Sequence, residues 1–402
     1  MAHGILTGFR AWPAWARVAA IYLAARIATT AMLILAASLA GPGSRHGAHA
    51  TPLDLMMGWD AQWYWLIAVE GYPAELPRDE TGLVATNQWA FMPLYPMLAR
   101  LLSSFSGDYR VTAVAVSVVA GYLASLVLHR LLRRRVDDAA ATWAVAFFAA
   151  GPLAALFQMG YAEALFLLWL FLALDVLVRR RFAWLYLLIP LMGFTRPGVL
   201  AFSLLLALYG IQRWRDRRRD PLPVGHVVHI VATGLWAAVV GFSWQVLAGV
   251  VTGDAEAYLE TELSWRRTWL DGDDGGFVPF EGFVQAAGIW FPYWGVPVWF
   301  GLVALVVLVA SFAALLLFDP HVRRLGIEIR LWSASYVLYL LAVFFPQSSI
   351  FRLLLPLAPL AGALALVPAR PWRIGVLVAG LAGQWLWIHQ MLVLGNAFYQ
   401  VP

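Results

Sequence analysis

The stretch Ala139–Val178, AAATWAVAFFAAGPLAALFQMGYAEALFLLWLFLALDVLV, decides the fold. It runs between two arginine clusters, Arg133-Arg134-Arg135 and Arg179-Arg180-Arg181. A helix needs about 20 apolar residues to cross the hydrocarbon core of a bilayer, and this stretch has about twice that. A single crossing would put the two clusters on opposite sides. Arginine runs favour the cytoplasm, so the chain must cross outward, turn near Gln158-Met159-Gly160 and return. The next apolar stretch, Phe182–Gln212, ends at another cluster, Arg213 to Arg219, and is a second hairpin by the same logic. Its turn falls at Thr195-Arg196-Pro197-Gly198. Each arm has only about 14 to 16 residues, or roughly 21 to 24 Å of helix. That is short of a full crossing, so the turn is expected below the outer surface. Irregular backbone at that depth persists only inside protein or beside a wet cavity, and a cavity is therefore expected here.

The remaining apolar segments extend this pattern over the chain: Arg17 to Ala40, Val111 to Leu131, His226 to Val251, Gly295 to Phe318, Leu331 to Phe345, Leu353 to Val367 and Ile374 to Leu394. The first is too long for the apolar core of a secretory signal, although Ser38 and Ala40 resemble a cleavage site, and it reads as a retained helix. The expectation is an all-α polytopic membrane protein of about 11 spans, with its N-terminus in the cytoplasm and its C-terminus outside. Residues 1–402 form one transmembrane domain, and two long outer segments, about 41–109 and 252–294, cap it. No internal repeat stands out.

Composition agrees. Of 402 residues, 62% are hydrophobic and 13% charged, too few charges to cover a soluble protein of this size. The net charge of +5 raises nucleic acid as a partner, but the arginines sit in short runs between apolar segments, including Arg323-Arg324, as membrane topology requires. No nucleic-acid partner is expected. With no cysteine, disulfides, thiolate metal sites and a cysteine nucleophile are excluded.

The candidate chemistry collects on the outer side. In Gly58–Tyr72, Trp59, Trp63 and Leu66 share one helical face with Ile67 beside them, which suits an amphipathic helix in the headgroup layer. Asp60 starts this helix. It either complements the helix dipole or is a reactive carboxylate held at the membrane surface. Trp89–Pro96 enters the next helix by a rigid path set by Pro93 and Pro96. Glu163 follows Tyr161 at the first hairpin turn and needs a cavity or an arginine, because a carboxylate facing lipid is costly. Arg196 lies at the second turn, and a structural salt bridge between the two is one reading. Arg352 lies at the outer end of a span, and Arg266 in the outer segment Tyr258–Arg267. A carboxylate among arginines suits acid–base chemistry on an anionic lipid, because arginine forks grip phosphate and a carboxylate accepts a hydroxyl proton. Asp271, Asp273 and Asp274, among Gly272, Gly275 and Gly276, are read as an exposed turn rather than a calcium loop.

Trp59-Asp60, Ala68 to Tyr72, Ala90-Phe91-Met92-Pro93-Leu94-Tyr95-Pro96 and Tyr161-Ala162-Glu163-Ala164-Leu165-Phe166 together resemble the PIG-V family of mannosyltransferases, of the GT-C class. The motifs cover roughly the first half of the chain. Thr195-Arg196-Pro197-Gly198 resembles that family's arginine–glycine turn only in part. The resemblance implies a GT-C-like bundle and an inverting transfer of mannose from polyprenyl-phosphate mannose to an extracytoplasmic hydroxyl on a glycolipid, glycan or protein. Asp60 would be the general base. Arg196, Arg266, Arg352, Glu163, Tyr161 and Trp59 are expected around the donor phosphate, Arg266 and Arg352 from their place at the cavity rather than from the resemblance, with no cofactor or metal. Rival expectations are a GT-C enzyme using glucose or arabinofuranose, a lipid-linked sugar transporter or flippase, and a non-catalytic partner in a membrane complex. A transporter would show repeated halves and a mid-membrane site, whereas these charges gather at one face.

Overall fold

The computed structural model describes residues 11–267, 269–270 and 276–402. The three aspartates Asp271, Asp273 and Asp274 therefore lie outside the described residues. The chain is 74% helical, with no strand among the described residues. Three helices organise it: α1 (Ala14–Leu39), α5 (Tyr109–Leu132) and α7 (Glu163–Val178), with α2 (Pro52–Met56), α3 (Asp60–Glu70), α4 (Leu94–Ser106) and α6 (Asp138–Ala149) between them. Helix α7 is apolar on nearly every side and buried almost throughout, the pattern of a central helix. It packs on α5 and on α8 (Leu185–Gly193). The second half adds α9 (Val199–Asp216), α10 (Val224–Thr252), α11 (Ala257–Arg267), α12 (Glu281–Tyr293), α13 (Val298–Phe318), α14 (Pro320–Arg324), α15 (Ile327–Val343), α16 (Ile350–Leu353), α17 (Ala361–Leu366) and α18 (Arg370–Ile388). Helix α9 packs against both α10 and α15.

Helices α1, α5, α10, α13 and Arg370–Leu394 are long and apolar enough to cross a membrane, by length and composition. Helix α13 buries only Gly301 and Leu316, leaving residues such as Val306 and Leu308 about two-thirds exposed. Water would not tolerate so large an apolar face, and lipid does. The chain is a membrane protein. The other segments expected to cross fall on shorter or broken helices. Gly151 and Pro152 separate α6 from a 3₁₀ turn at Ala154–Gln158, Pro190 lies inside α8, and Pro356 and Pro359 interrupt the run from Arg352 to Leu366. Both hairpin turns fall where charge logic puts them. At the second, Thr195 is fully buried and Gly198 has φ 125°, a conformation that a β-carbon disfavours.

The arginine runs gather at the end of α7 remote from Glu163. Fully buried Asp175 takes Arg134 at 2.7 Å, Arg130 at 3.0 Å and Arg179 at 3.5 Å. Asp138 pairs with Arg17 and Arg133, and Arg135 with Glu328 at 2.9 Å. Asp220 joins Arg180 and Arg213.

The opposite end carries the cap. Pro52 and the Thr51–Asp54 capping box start α2, and Gly160 donates its N–H to Met56 O at 2.9 Å, docking the α2–α3 segment on the first hairpin turn. Leu94 N–H bonds Phe194 O at 2.8 Å, and Trp244 Nε1 bonds Trp89 O at 2.9 Å, so the Trp89–Pro96 segment lies on the second hairpin. Helix α11 closes over it through Asn87, whose amide donates to Thr261 at 2.8 Å.

Candidate active site

Asp60 is the first residue of α3, but its side chain does not cap the helix. It accepts a hydrogen bond from Arg352, brought in by the short helix α16. The same guanidinium nitrogen lies 3.6 Å from Glu163 Oε1, and Glu163 is paired in turn with Arg196. Two acids and two bases from four separate segments thus form one continuous chain of charge. Their side chains are 3–17% exposed, so water screens them little. Each side chain is placed by a local break: Glu163 by the start of α7, Arg196 by the turn before Gly198, Arg352 by the Gln347–Ser349 bend, and Asp60 by Trp59.

Trp59 has φ 55°, a left-handed conformation that costs a non-glycine residue roughly 1–2 kcal/mol. It is held at two points. Its Nε1 donates to Met391 O at 3.0 Å, and the Arg45 guanidinium lies 3.8 Å from the centre of its ring. Strained backbone directly before a charged residue aims that residue, and here it aims Asp60 at Arg352. Tyr161 is fully buried beside the cluster, with Arg352 Cζ 5.8 Å from its ring centre. Glu163, Arg196 and Arg352 line a small pocket of about 10 Å³, together with Phe166, Tyr336 and Leu353.

Six of the seven residues singled out from sequence, Asp60, Glu163, Arg196, Arg352, Tyr161 and Trp59, therefore meet. Arg266 makes a different contact: it hydrogen-bonds Gln285 of α12, with its guanidinium 5.4 Å from the Phe345 ring centre. Helix α3 packs by a face adjoining the aromatic one. Ala61, Tyr64, Ile67 and Ala68 face inward, while Trp63 stacks on Phe91 and meets the Trp265 edge. Trp63 thus joins the cap to α11 rather than only marking the interface.

Two further residues belong to the neighbourhood. Arg45 lies close enough to Tyr161 for its charge to be felt, and among the described residues it pairs with no carboxylate. Burial lowers its pKa, an effect Tyr161 partly opposes, and the group remains a cation. Glu262 of α11 has its carboxyl pushed up to about 7, chiefly by burial, with the Tyr258 hydroxyl opposing and the Asp60 charge adding to the rise. Neither sits in a pattern that sequence alone marks: Arg45 lies in the irregular Gly41–Ala50 stretch, and Glu262 is one of several alternating charges in Tyr258–Arg267.

No protein-family model matches the sequence. No curated protein matches it either. Among solved structures, the fold is similar to ArnT from Cupriavidus metallidurans bound to undecaprenyl phosphate, with a TM-score of 0.51 and 14% sequence identity over 93% of this chain. The chain spans 64% of the length of that protein. The fold is thus an all-helical, ArnT-like bundle, and the all-α architecture expected from sequence is the one observed.

Proposed function

We propose that the chain is an inverting glycosyltransferase that moves mannose from polyprenyl-phosphate mannose to a hydroxyl outside the cytoplasm, on a glycolipid, glycan or protein. The observation that carries this reading is the Asp60–Arg352–Glu163–Arg196 charge chain beside a pocket in a membrane protein. The likeness to a protein bound to undecaprenyl phosphate adds support for a lipid-phosphate donor.

The chemistry follows from the charges. The acceptor oxygen attacks the anomeric carbon as its proton passes to Asp60. The bond from that carbon to the phosphate oxygen breaks, and its electron pair leaves with the lipid phosphate. The phosphate gains a negative charge, which Arg352 is placed to share, because it already touches the base. Charge developing against a fixed guanidinium in a dry site is stabilised without rearrangement. Glu163 holds Arg196 and Arg352 in place, and Arg45 supplies a further cation that pairs with no carboxylate among the described residues. The 41–109 segment and helix α11 close the site from outside.

The test is Asp60→Asn in membranes supplied with labelled polyprenyl-phosphate mannose, with products read by mass spectrometry. Loss of a general base lowers transfer by roughly 10² to 10⁴ while expression holds. Near-normal transfer by the variant removes the mechanism. Labelled glucose and arabinofuranose donors in the same assay decide the sugar. Donor crossing sealed vesicles with no glycoside formed would make the protein a flippase.

A further inference from the structure

The end of α7 remote from Glu163 holds a second pocket, larger and more open than the first. Its volume is about 540 Å³, and its walls are the Arg180–Trp184 turn and the first helical turns of α10, with Arg180, Arg181, Phe182, Trp184, His226 and His229 facing it. Helix α7 has 16 residues, so the two pockets are separated by about 24 Å of helix. Nothing in the transfer reaction uses this second one.

We propose that this pocket binds the phosphate headgroup of an anionic phospholipid. The cations around it are not all spent. Arg179 pairs with Asp175, while Arg180 and Arg213 share Asp220. Exposed Arg181 forms no ion pair among the described residues. His226 Nδ1 is buried without a hydrogen-bond partner, whereas His229 Nδ1 is engaged 3.3 Å from the Tyr186 hydroxyl. Phe182 lies between the imidazoles, 5.1 Å from the His226 ring and 6.3 Å from the His229 ring. Helix α10 opens at Pro223 with no side-chain cap and no acid in its first turn, so its end of the pocket is electropositive as well.

The neighbouring surface says which phosphate. Val224, Val228 and Val231 are 79%, 58% and 55% exposed on α10, and Trp184 is 57% exposed at the rim. An apolar stripe leading away from a basic mouth, with tryptophan at the boundary, fits a headgroup whose acyl chains lie along α10. A soluble phosphate would use the mouth and leave the stripe bare.

The experiment uses the full-length protein in mild detergent, exposed to phosphatidylglycerol or phosphatidylcholine of matched chains and read by native mass spectrometry. Phosphatidylglycerol should be retained about tenfold more strongly, a difference of roughly 1.4 kcal/mol. Arg181→Gln combined with His226→Ala should erase that preference. Arg217→Gln, which alters an arginine lying 4.1 Å over the Trp214 ring centre, should preserve it. Equal retention of the two lipids by the unaltered protein overturns the proposal, whatever the variants do. So does equal loss on Arg217→Gln, which would mean diffuse surface charge. Displacement of the lipid by millimolar inorganic phosphate, with no dependence on acyl chains, would assign the site to a soluble anion and also overturn it.

Discussion

Arg352 reaches Asp60 across 292 residues of sequence and, with the same nitrogen, sits 3.6 Å from Glu163. One guanidinium therefore holds two carboxylates that arise in different segments, the first opening α3 and the second opening α7. In so dry a place an ion pair contributes little net stability, but removing one partner costs far more, because the other is left charged without compensation.

Replacing Arg352 separates charge from shape. Arg352→Met should lower the melting temperature by several degrees and abolish transfer, while Arg352→Lys should fold normally yet lose at least about tenfold in rate, since an ammonium cannot reproduce the fork. Adding Asp60→Asn to Arg352→Met should recover part of the lost stability, with a coupling of about 0.5–3 kcal/mol in a double-mutant cycle. Strict additivity of the two changes would show that the pair does not act as a unit.

The first hairpin and the cap meet closely at Gly160, with room for no more than a methyl group. A β-carbon there would stand 2.7 Å from Met57 Sδ and 3.1 Å from Ala61 Cβ, next to Asp60. Met57 can give way to a single methyl group, but not to more. Gly160→Val should cost about 1–3 kcal/mol of stability and reduce transfer further than the fold loss explains, because α3 moves off Glu163. Thermal melts and rates measured side by side check this, and an unchanged rate at a lowered melting temperature would detach Gly160 from the site.

How much of this was legible beforehand follows from the physics of each element. Both hairpin turns could be located because charge topology acts on whole segments, and a mostly apolar stretch of 40 residues between arginine runs leaves few options. Glu163 and Arg196 could be matched because a carboxylate at the end of an apolar helix needs a cation. The breaks at Pro190, Pro356 and Pro359 mark shortened helices, but their effect on crossing depends on packing that no periodicity records. The contact of Arg266 with Gln285 was not legible for a similar reason. The side of α11 that carries Arg266 is set by the Asn87–Thr261 bond and the Trp63–Trp265 contact, both tertiary. Arg45 was invisible, since its place over Trp59 depends on a loop of glycine, proline and histidine with no period at all.

Arg45 should act on the donor rather than on the fold. Its contact with Trp59 is worth about 0.5–1 kcal/mol at an exposed site, so Arg45→Gln should melt within a few degrees of the native protein. If it meets the donor phosphate before and during transfer alike, the variant should raise KM for the polyprenyl-phosphate sugar about tenfold and leave kcat nearly unchanged. A fall in kcat at constant KM would place Arg45 with the leaving group alone, and no change in either would remove it from the site.

Glu262 should make the cap sensitive to pH. Its carboxyl lies at about 7 in the folded chain against 4.5 as the ordinary value, because burial disfavours the anion and Asp60 repels it. The folded state thus binds a proton more tightly than the unfolded one. Between about pH 4.5 and 7 it holds a proton that the unfolded chain has released, so this stabilisation is complete below the lower value and disappears as pH rises through the upper. Melting temperatures from pH 5 to 8 should fall across that window. Glu262→Gln, which keeps a neutral group of the same shape beside Tyr258, should flatten the curve and melt above the native protein at pH 8. Parallel curves for the two proteins would mean that the carboxyl titrates at its ordinary pH and that α11 closes the site without holding a proton there.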